Sequence, residues 1–240
     1  FVERRIKMLN NIKLVIFDID GTLLDSVCFN TYNMNRTLEM MGYTYRVDEA
    51  CIRANLGATA EDFYKVVLDE VCYLDWEAIR TQNRVNVRQA MQGYGKAFPG
   101  VESTFKALYE KGYKLVLYSN CSRLYLESAL EVLHITPYID YTECVKDNGL
   151  EKPELLKKIV SLYEGMDTVV VGDRIHDLEA AAWNGLPYVA ALYGFGKDEI
   201  KDATYQIQAI DELIELLEGP KYTKSIEEYI SLLDKEKQDA

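Results

Sequence analysis

Two carboxylates follow directly on a run of strand-forming residues in the segment KLVIFDIDGTLLDS, which spans residues 13–26. Leu14–Phe17 is continuously apolar, a pattern typical of a strand that is buried on both faces of a sheet. Asp18 and Asp20 come next, and carboxylates rarely occupy such positions unless a cation or a hydrogen-bond donor pairs with them. The two acids therefore form either a strand-end turn, which an Asp-Gly pair favours, or a site that does chemistry.

Other polar side chains stand where later strands are predicted to end or where the next helix begins: Ser119, Asn120, Lys152, Asp173 and Asp177. Asp177 follows Asp173 by one helical turn, so both lie on the same face if a helix begins there. In a doubly wound sheet, ligands bind at the carboxyl ends of the strands, where these side chains would converge with Asp18 and Asp20. Hard oxygen ligands in that number suit Mg²⁺, which binds a few carboxylates and completes its shell with water and substrate phosphate.

The elements that must position these residues alternate along the chain. Apolar runs similar in kind to the first strand predict four more strands, at residues 114–120, 141–144, 168–173 and 188–192. Helical patterns lie between them, two followed by glycine and one beginning with proline, at residues 101–111, 123–133, 153–163 and 176–184. This alternation predicts an α/β fold, in which a doubly wound parallel sheet forms a Rossmann-like core.

A helical block interrupts the alternation after the first strand. It contains no convincing buried strand, and Phe63, Val66, Val67 and Val71 recur at a spacing that predicts one apolar helical face. We therefore predict an α-helical cap domain inserted into the core, with a charged amphipathic helix as a C-terminal tail. The predicted ranges are 1–26 and 96–218 for the core, 27–95 for the cap and 219–240 for the tail.

Composition argues against several classes of protein. The net charge of −12 disfavours nucleic-acid binding, which needs a basic surface, although it allows a small anionic substrate. The five cysteines are scattered and odd in number, which favours a reducing, cytoplasmic location over disulfides or a zinc site. With two histidines, a histidine-rich metal site or a Ser-His-Asp hydrolase is a poor match.

No apolar run approaches the roughly 20 residues that span a membrane, and the polar start does not fit a signal peptide. Met8 is a candidate natural start.

The order of the motifs resembles the haloacid-dehalogenase-like superfamily, specifically its phosphoglycolate-phosphatase-like hydrolases with a helical, C1-type cap. The resemblance covers residues 13–217 and rests on four motifs in sequence: FDIDGTLLDS, LYSN, EKPE and VGDRIHDLEAA. An EF-hand loop would need further ligands that are absent here, and no phosphate-binding P-loop sequence occurs. The resemblance implies a Mg²⁺-dependent phosphatase that acts on a small phosphorylated metabolite.

The resemblance also assigns roles to the core motifs. Asp18 would be the nucleophile that forms an aspartyl-phosphate, and Asp20 would protonate the leaving alcohol and later deprotonate water. Mg²⁺ would be held by Asp18, Asp173 and the backbone carbonyl of Asp20, with Asp177 a direct or indirect partner. The implied phosphate-binding residues are Ser119, Asn120, Lys152 and Thr22, the last of which either contacts phosphate or braces its loop.

Two other functions stay open. A sugar phosphomutase of the same architecture would carry Gly-Val after the second acid and a cap arginine that grips a second phosphate. This chain has Gly21-Thr22, and Ala60 stands at the aligned cap position, which favours hydrolysis unless Arg53 substitutes for that arginine. A non-catalytic phosphate-binding regulatory protein is the other alternative, although every catalytic position is intact.

The cap selects the alcohol, and the cap is where the resemblance is weakest. Arg53, Asn55 and Gly57 are the candidate substrate-specificity residues. Phosphoglycolate, a sugar phosphate, a nucleoside monophosphate and pyrophosphate all stay open as substrates, and no pattern indicates an oligomeric state.

Overall fold

A computed structural model describes residues 9, 11–56 and 60–219 of the chain. The strands in these residues are β1 (Leu14–Phe17), β2 (Leu24–Asp25), β3 (Lys96–Ala97), β4 (Lys114–Ser119), β5 (Tyr141–Cys144), β6 (Thr168–Gly172), β7 (Tyr188–Ala191) and β8 (Tyr205–Ile207). The helices are α1 (Val27–Met40), α2 (Glu49–Asn55), α3 (Ala60–Val67), α4 (Glu70–Tyr73), α5 (Trp76–Tyr94), α6 (Val101–Glu110), α7 (Arg123–Leu133), α8 (Val145–Asn148), α9 (Lys152–Leu162), α10 (Ile175–Trp183), α11 (Lys197–Ile200) and α12 (Glu212–Glu218). None of these helices is long and apolar enough to cross a membrane. The predicted tail lies outside the described residues from residue 220 onward.

Six strands of the described chain form one parallel sheet in the order β5-β4-β1-β6-β7-β8. The chain leaves β1 toward β4 and β5 and then crosses to β6 on the other side, which makes β1 the switch point where α/β sheets bind ligands. The register pairs Phe17 with Leu117 of β4 and with Val171 of β6, so these three strands end at nearly the same level. The predicted doubly wound α/β fold is confirmed.

The central strand is buried on both faces because its side chains alternate between two apolar layers. Val15 and Phe17 pack against α6, α7 and α12 on one face, whereas Leu14 and Ile16 pack against α9 and α10 on the other. The ring of Phe17 also lies 4.7 Å from the ring of Phe105, measured between centroids. Burial of each such side chain contributes about 1.5–3 kcal/mol, so β1 fixes the depth of the residue that follows it.

The helices α1 to α5 form a block with an apolar core of its own, and β2 and β3 pair as a short antiparallel ribbon where the chain enters and leaves it. The predicted apolar face of this block is wrong in part, because Val66 and Val71 are 58% and 64% exposed. The reason is a break in the helix: α3 ends at Val67, and Asp69 then caps α4 by accepting a hydrogen bond from the Cys72 N–H at 2.8 Å. The division of the chain into a cap domain and a core domain stays a prediction.

Contacts of charged and amide side chains join the helical block to the sheet layer at two places. Arg88 of α5 forms an ion pair with Glu131 of α7, and the side-chain amide of Gln92 donates to the same carboxylate at 3.0 Å. The guanidinium of Arg53 on α2 lies 5.5 Å from the ring centroid of Phe195, in the loop after β7. The block is therefore connected both to a helix beside the sheet and to a loop at the carboxyl ends of the strands.

Candidate active site

The ends of β1, β4 and β6 bring three of the predicted site residues to one edge of the sheet. Asp18 follows β1, and its backbone N–H donates to the carbonyl of Val171 at 3.0 Å. Ser119 is the last residue of β4, and Asp173 directly follows β6. All three side chains are buried, so this edge is a polar site enclosed in an apolar core.

Lys152 reaches this edge from the first turn of α9. Its Nζ lies 2.7 Å from Oδ1 of Asp18 and 2.7 Å from Oδ1 of Asp177. The hydroxyl of Tyr118 on β4 donates to the same Asp177 oxygen at 2.9 Å, and the ammonium lies 4.7 Å from the centroid of that tyrosine ring. Burial disfavours the charged ammonium, but attraction to Asp177 and Asp18 outweighs it and raises the pKa of Lys152. Lys152 is therefore a fixed positive charge beside Asp18.

Asp173 packs closely against two glycines. Its Oδ1 accepts a hydrogen bond from the Thr22 hydroxyl at 3.3 Å, and its Oδ2 accepts one from the Phe195 N–H at 2.7 Å. Gly21 has a φ of +80°, and a Cβ there would lie 2.0 Å from Oδ2 of Asp173. A Cβ on Gly194 would lie 2.3 Å from Cβ of Asp173. Both glycines are needed for this close approach, and Thr22 braces the loop; its contact with phosphate stays a prediction.

The acidic cluster carries more negative charge than the lysine balances. Asp18, Asp173 and Asp177 are buried, and each places a carboxylate oxygen within 4.8 Å of the others. Burial, with repulsion from Asp177, raises the pKa of Asp173 to about 7. Burial also raises the pKa of Asp18, and attraction to Lys152 offsets this rise only in part. A divalent cation would balance the two remaining charges, so the cluster fits Mg²⁺. Ligation by the carboxylates of Asp18 and Asp173 and by the Asp20 carbonyl stays a prediction.

Asp177 is already engaged by donors from the protein. Its Oδ1 is shared by Lys152 and Tyr118, and its Oδ2 accepts a hydrogen bond from the Arg174 N–H at 3.3 Å. These bonds favour the indirect role for Asp177, in which it orients Lys152 next to the metal position, over direct ligation.

Asp20 lies two residues beyond Asp18 and is held by Tyr125 of α7. The Tyr125 hydroxyl donates a hydrogen bond to Oδ1 of Asp20, and its ring packs on Phe29 with the centroids 5.8 Å apart. Burial raises the pKa of Asp20, and the hydrogen bond from Tyr125 opposes that rise. A carboxyl group that is fixed in orientation and has a raised pKa is suited to giving and taking a proton.

The site opens into a cavity of about 750 Å³ between the helical block and the sheet layer, a size typical of small-molecule sites. The predicted residues that line it are Asp18, Asp20, Ser119, Asn120, Lys152 and Asp177. Ser119 is buried, whereas Asn120 is exposed on the cavity wall. The structure thus brings six of the predicted core residues to a single cavity, whereas Asp173 and Thr22 do not line it.

Two of the predicted specificity residues of the cap, Arg53 and Asn55, lie outside the cavity lining. Arg53 stacks over Phe195, and the side-chain amide of Asn55 donates to the carbonyl of Cys51 at 2.8 Å. Neither residue lines the cavity in the part of the chain that the structure describes. Gly57 falls outside the described residues, so contact of these three residues with a substrate stays a prediction.

Sequence reasoning missed several residues of the cavity wall: Tyr64, Arg80, Asn83, Arg84, Tyr125 and Lys146. A signal existed for two of them, because Arg80 and Arg84 are four residues apart on one helix and like charges at that spacing oppose helix formation. Tyr125 and Lys146 carry no such signal, since their positions depend on how α7 and α8 pack at the ends of the strands.

The chain is similar to named enzymes along most of its length. A phosphoglycolate phosphatase from Aquifex aeolicus is 26% identical over 211 residues, which cover 86% of this chain and 97% of that enzyme. A phosphoglycolate phosphatase from Aliivibrio fischeri is 29% identical over 208 residues, which cover 80% of this chain and 89% of that enzyme. The crystal structure of a predicted phosphoglycolate phosphatase from Haemophilus somnus matches with a TM-score of 0.76 at 18% identity, over 87% of this chain and 99% of that chain. At that identity the structural likeness shows the fold.

A family model identifies the wider group. The model described as haloacid dehalogenase-like hydrolase matches residues 15–191, which include Asp18, Asp20, Ser119, Lys152 and Asp173. The matched range spans more than half of the chain and runs from the first to the seventh strand. The chain belongs to the haloacid dehalogenase-like hydrolase family.

Proposed function

We propose that this chain is a Mg²⁺-dependent phosphatase that hydrolyses a small phosphomonoester through a phosphorylated Asp18. The observation that carries the proposal is the buried contact of 2.7 Å between Lys152 Nζ and Asp18 Oδ1 at a cavity wall. A buried ion pair adds little to stability by itself, so its position at the switch point of the sheet favours a catalytic role. The names of the similar enzymes, both phosphoglycolate phosphatases, support the same class of reaction.

The proposed first step transfers the phosphoryl group to the protein. A carboxylate oxygen of Asp18 attacks phosphorus, and an O–P bond forms while the bond from phosphorus to the alcohol oxygen breaks. Asp20 gives its proton to the departing alcohol oxygen. Lys152 and the Ser119 hydroxyl would bind the phosphoryl oxygens and stabilise their charge.

The proposed second step releases phosphate. Asp20, now a carboxylate, takes a proton from a water molecule whose oxygen attacks phosphorus. The bond between phosphorus and the Asp18 oxygen breaks, which restores the Asp18 carboxylate and the protonated Asp20. When held by Asp18 and Asp173, Mg²⁺ supplies electrostatic stabilisation of the phosphoryl oxygens.

Replacing Tyr125 with phenylalanine tests the role of Asp20. The variant keeps the ring packing on Phe29 but loses the hydrogen bond that orients the acid. We therefore expect kcat/KM for an alkyl phosphate, which reports the steps up to formation of phospho-Asp18, to fall about 10-fold. The loss should be smaller for p-nitrophenyl phosphate, because that leaving group departs without a proton. Steady-state kinetics on both substrates measures the difference, with Tyr138→Phe as the control. An equal loss on the two substrates, or none, would contradict the role.

Phosphate release from a panel of phosphorylated metabolites tests the proposed function. The wild-type protein is assayed with Mg²⁺ and with a chelator, and Asp18→Asn is assayed beside it. Turnover that requires both the metal and Asp18 would support a phosphatase. Conversion of a hexose phosphate to its isomer without phosphate release would favour the phosphomutase. Absence of both phosphate release and isomerisation would favour a binding protein.

We also propose a small phosphorylated metabolite as the partner and the cytoplasm as the location. The cavity of about 750 Å³ suits a small molecule, and the net charge of −12 disfavours a nucleic-acid partner. All five cysteines are free thiols, which suits a reducing compartment.

A further inference from the structure

Three cations face the cavity from two sides. Arg80 and Arg84 lie on α5 of the helical block, and Lys146 lies on α8, which directly follows β5. All three line the same cavity as Asp18 and Lys152. The cavity therefore has positive charge on the wall formed by the block and on the wall formed by the core.

These cations differ from the other basic residues of the cavity in having no acidic partner. Lys152 pairs with Asp18 and Asp177, and Arg174 pairs with Glu199 at 2.8 Å. Within the described residues, no carboxylate lies within 4.0 Å of the charged groups of Arg80, Arg84 or Lys146. A cluster of unpaired cations is unexpected on a chain with 39 acidic and 27 basic residues.

A third arginine of the same helix, Arg88, does not line the cavity and does have an acidic partner. Arg80, Arg84 and Arg88 are spaced by four residues, so they follow one another along one side of α5. Arg88 is ion-paired with Glu131 of α7, whereas the first two arginines border the cavity instead. Arg80 lies 5.9 Å from the ring centroid of Trp76, which orients its guanidinium.

The cations repel one another, and this repulsion is relieved by an anion. All three groups line one cavity, and partial desolvation there, with repulsion from Arg80 and Arg84, lowers the pKa of Lys146. An anion placed among them would be attracted by all three, and arginine forms paired hydrogen bonds with carboxylate and phosphate oxygens.

A buried hydroxyl completes the polar wall. Tyr64 of α3 is 6% exposed and lines the cavity, and its oxygen accepts a hydrogen bond from the side-chain amide of Asn83 at 3.1 Å. In the described structure its own hydroxyl hydrogen has no acceptor, which leaves one further donor for an anion.

We propose that Arg80, Arg84 and Lys146 form a second anion subsite, which binds a carboxylate or phosphate group on the alcohol part of the substrate. This inference rests on the proposed function, because the transferred phosphoryl group would bind at Asp18 and Lys152. It makes phosphomonoesters with a second acidic group the preferred substrate class. Esters of neutral alcohols would bind without this contact and react less efficiently.

Charge-neutralising variants measured on two substrate classes test the subsite. The variants are Arg80→Gln, Arg84→Gln and Lys146→Gln, and the control is Arg36→Gln, an exposed cap arginine paired with Glu39. The first class is phosphoglycolate, which carries a carboxylate, and a sugar bisphosphate, which carries a second phosphate. The second class is glycerol phosphate and p-nitrophenyl phosphate, whose alcohol parts are neutral.

Wild-type protein should prefer the first class, and each variant should lower the ratio of kcat/KM between the two classes by about 10-fold or more, chiefly through KM. The control should leave this ratio unchanged. Comparison of kcat/KM for phosphoglycolate with kcat/KM for the sugar bisphosphate shows whether the subsite prefers a carboxylate or a phosphate. Equal losses on both classes, or no loss on the first class, would overturn the subsite.

A binding measurement separates failure of the subsite from failure of the proposed function. Calorimetry of phosphoglycolate and of the sugar bisphosphate with Asp18→Asn protein needs no turnover. Affinity that falls about 10-fold when Arg80→Gln is added supports the subsite even if the protein releases no phosphate. Phosphatase turnover without any effect of these variants would retain the proposed function and reject the subsite.

Discussion

Replacing Asp18 with asparagine is expected to lower kcat for phosphate release by at least about 10⁴-fold. The amide cannot serve as the nucleophile, and no other carboxylate of the cluster can take its place: Asp177 is held by Lys152 and Tyr118, and Asp173 by Thr22 and Phe195. The measurement is the initial rate of phosphate release at saturating substrate and Mg²⁺.

The same variant should stay folded. Asparagine removes one negative charge from three crowded carboxylates, while Lys152 keeps its contact with Asp177. Thermal unfolding followed by circular dichroism should therefore give a midpoint close to that of the wild-type protein. Asp167→Asn, an exposed position just before β6, is the matched control and should keep full activity. Activity of Asp18→Asn within 10-fold of wild type would contradict the nucleophile assignment.

Replacing Lys152 with methionine is expected to have the second largest effect. Methionine has a similar length but no charge, so the carboxylates of Asp18 and Asp177 lose their buried counter-charge. Removal of one partner from a buried ion pair costs about 3–5 kcal/mol of folding free energy, and we expect a loss in that range. The free energy of unfolding in urea measures this cost.

Activity should fall by about 10³-fold in the same variant, because the charge that orients Asp18 and would neutralise the phosphoryl group is gone. Lys157→Met is the matched control, since Lys157 lies on the exposed side of the same helix over the ring of Trp183. If folded Lys152→Met protein kept near-normal turnover, the proposed catalytic role of Lys152 would be contradicted.

The core could be predicted from the sequence because its strands are buried on both faces. Such strands appear as continuous apolar runs, and the polar residues that end them are visible against that background, as at Phe17 and Asp18. Strands with weaker patterns were missed: β2 and β3 have two residues each, and β8 is short and only half-buried. Their formation depends on a neighbouring strand rather than on local pattern.

The site was predictable only as far as strand order brings residues together. Parallel strands that end at one edge must juxtapose Asp18, Ser119 and Asp173, whatever the rest of the chain does. Strand order does not predict the positions of Tyr125 and Arg80. Tyr125 reaches Asp20 through the packing of α7, and Arg80 reaches the cavity through the packing of α5. The incorrect apolar face at Val66 and Val71 has a related cause, a helix break that periodicity did not reveal.

Trapping of the phosphorylated protein tests the central claim most directly. Asp20→Asn should still allow attack on p-nitrophenyl phosphate, whose leaving group needs no proton, but should slow the attack of water on phospho-Asp18. We predict a burst of about one p-nitrophenol per protein molecule and a peptide containing residue 18 that is heavier by one phosphoryl group. The account would be contradicted if the wild-type protein released phosphate but Asp20→Asn showed neither a burst nor a phosphorylated Asp18.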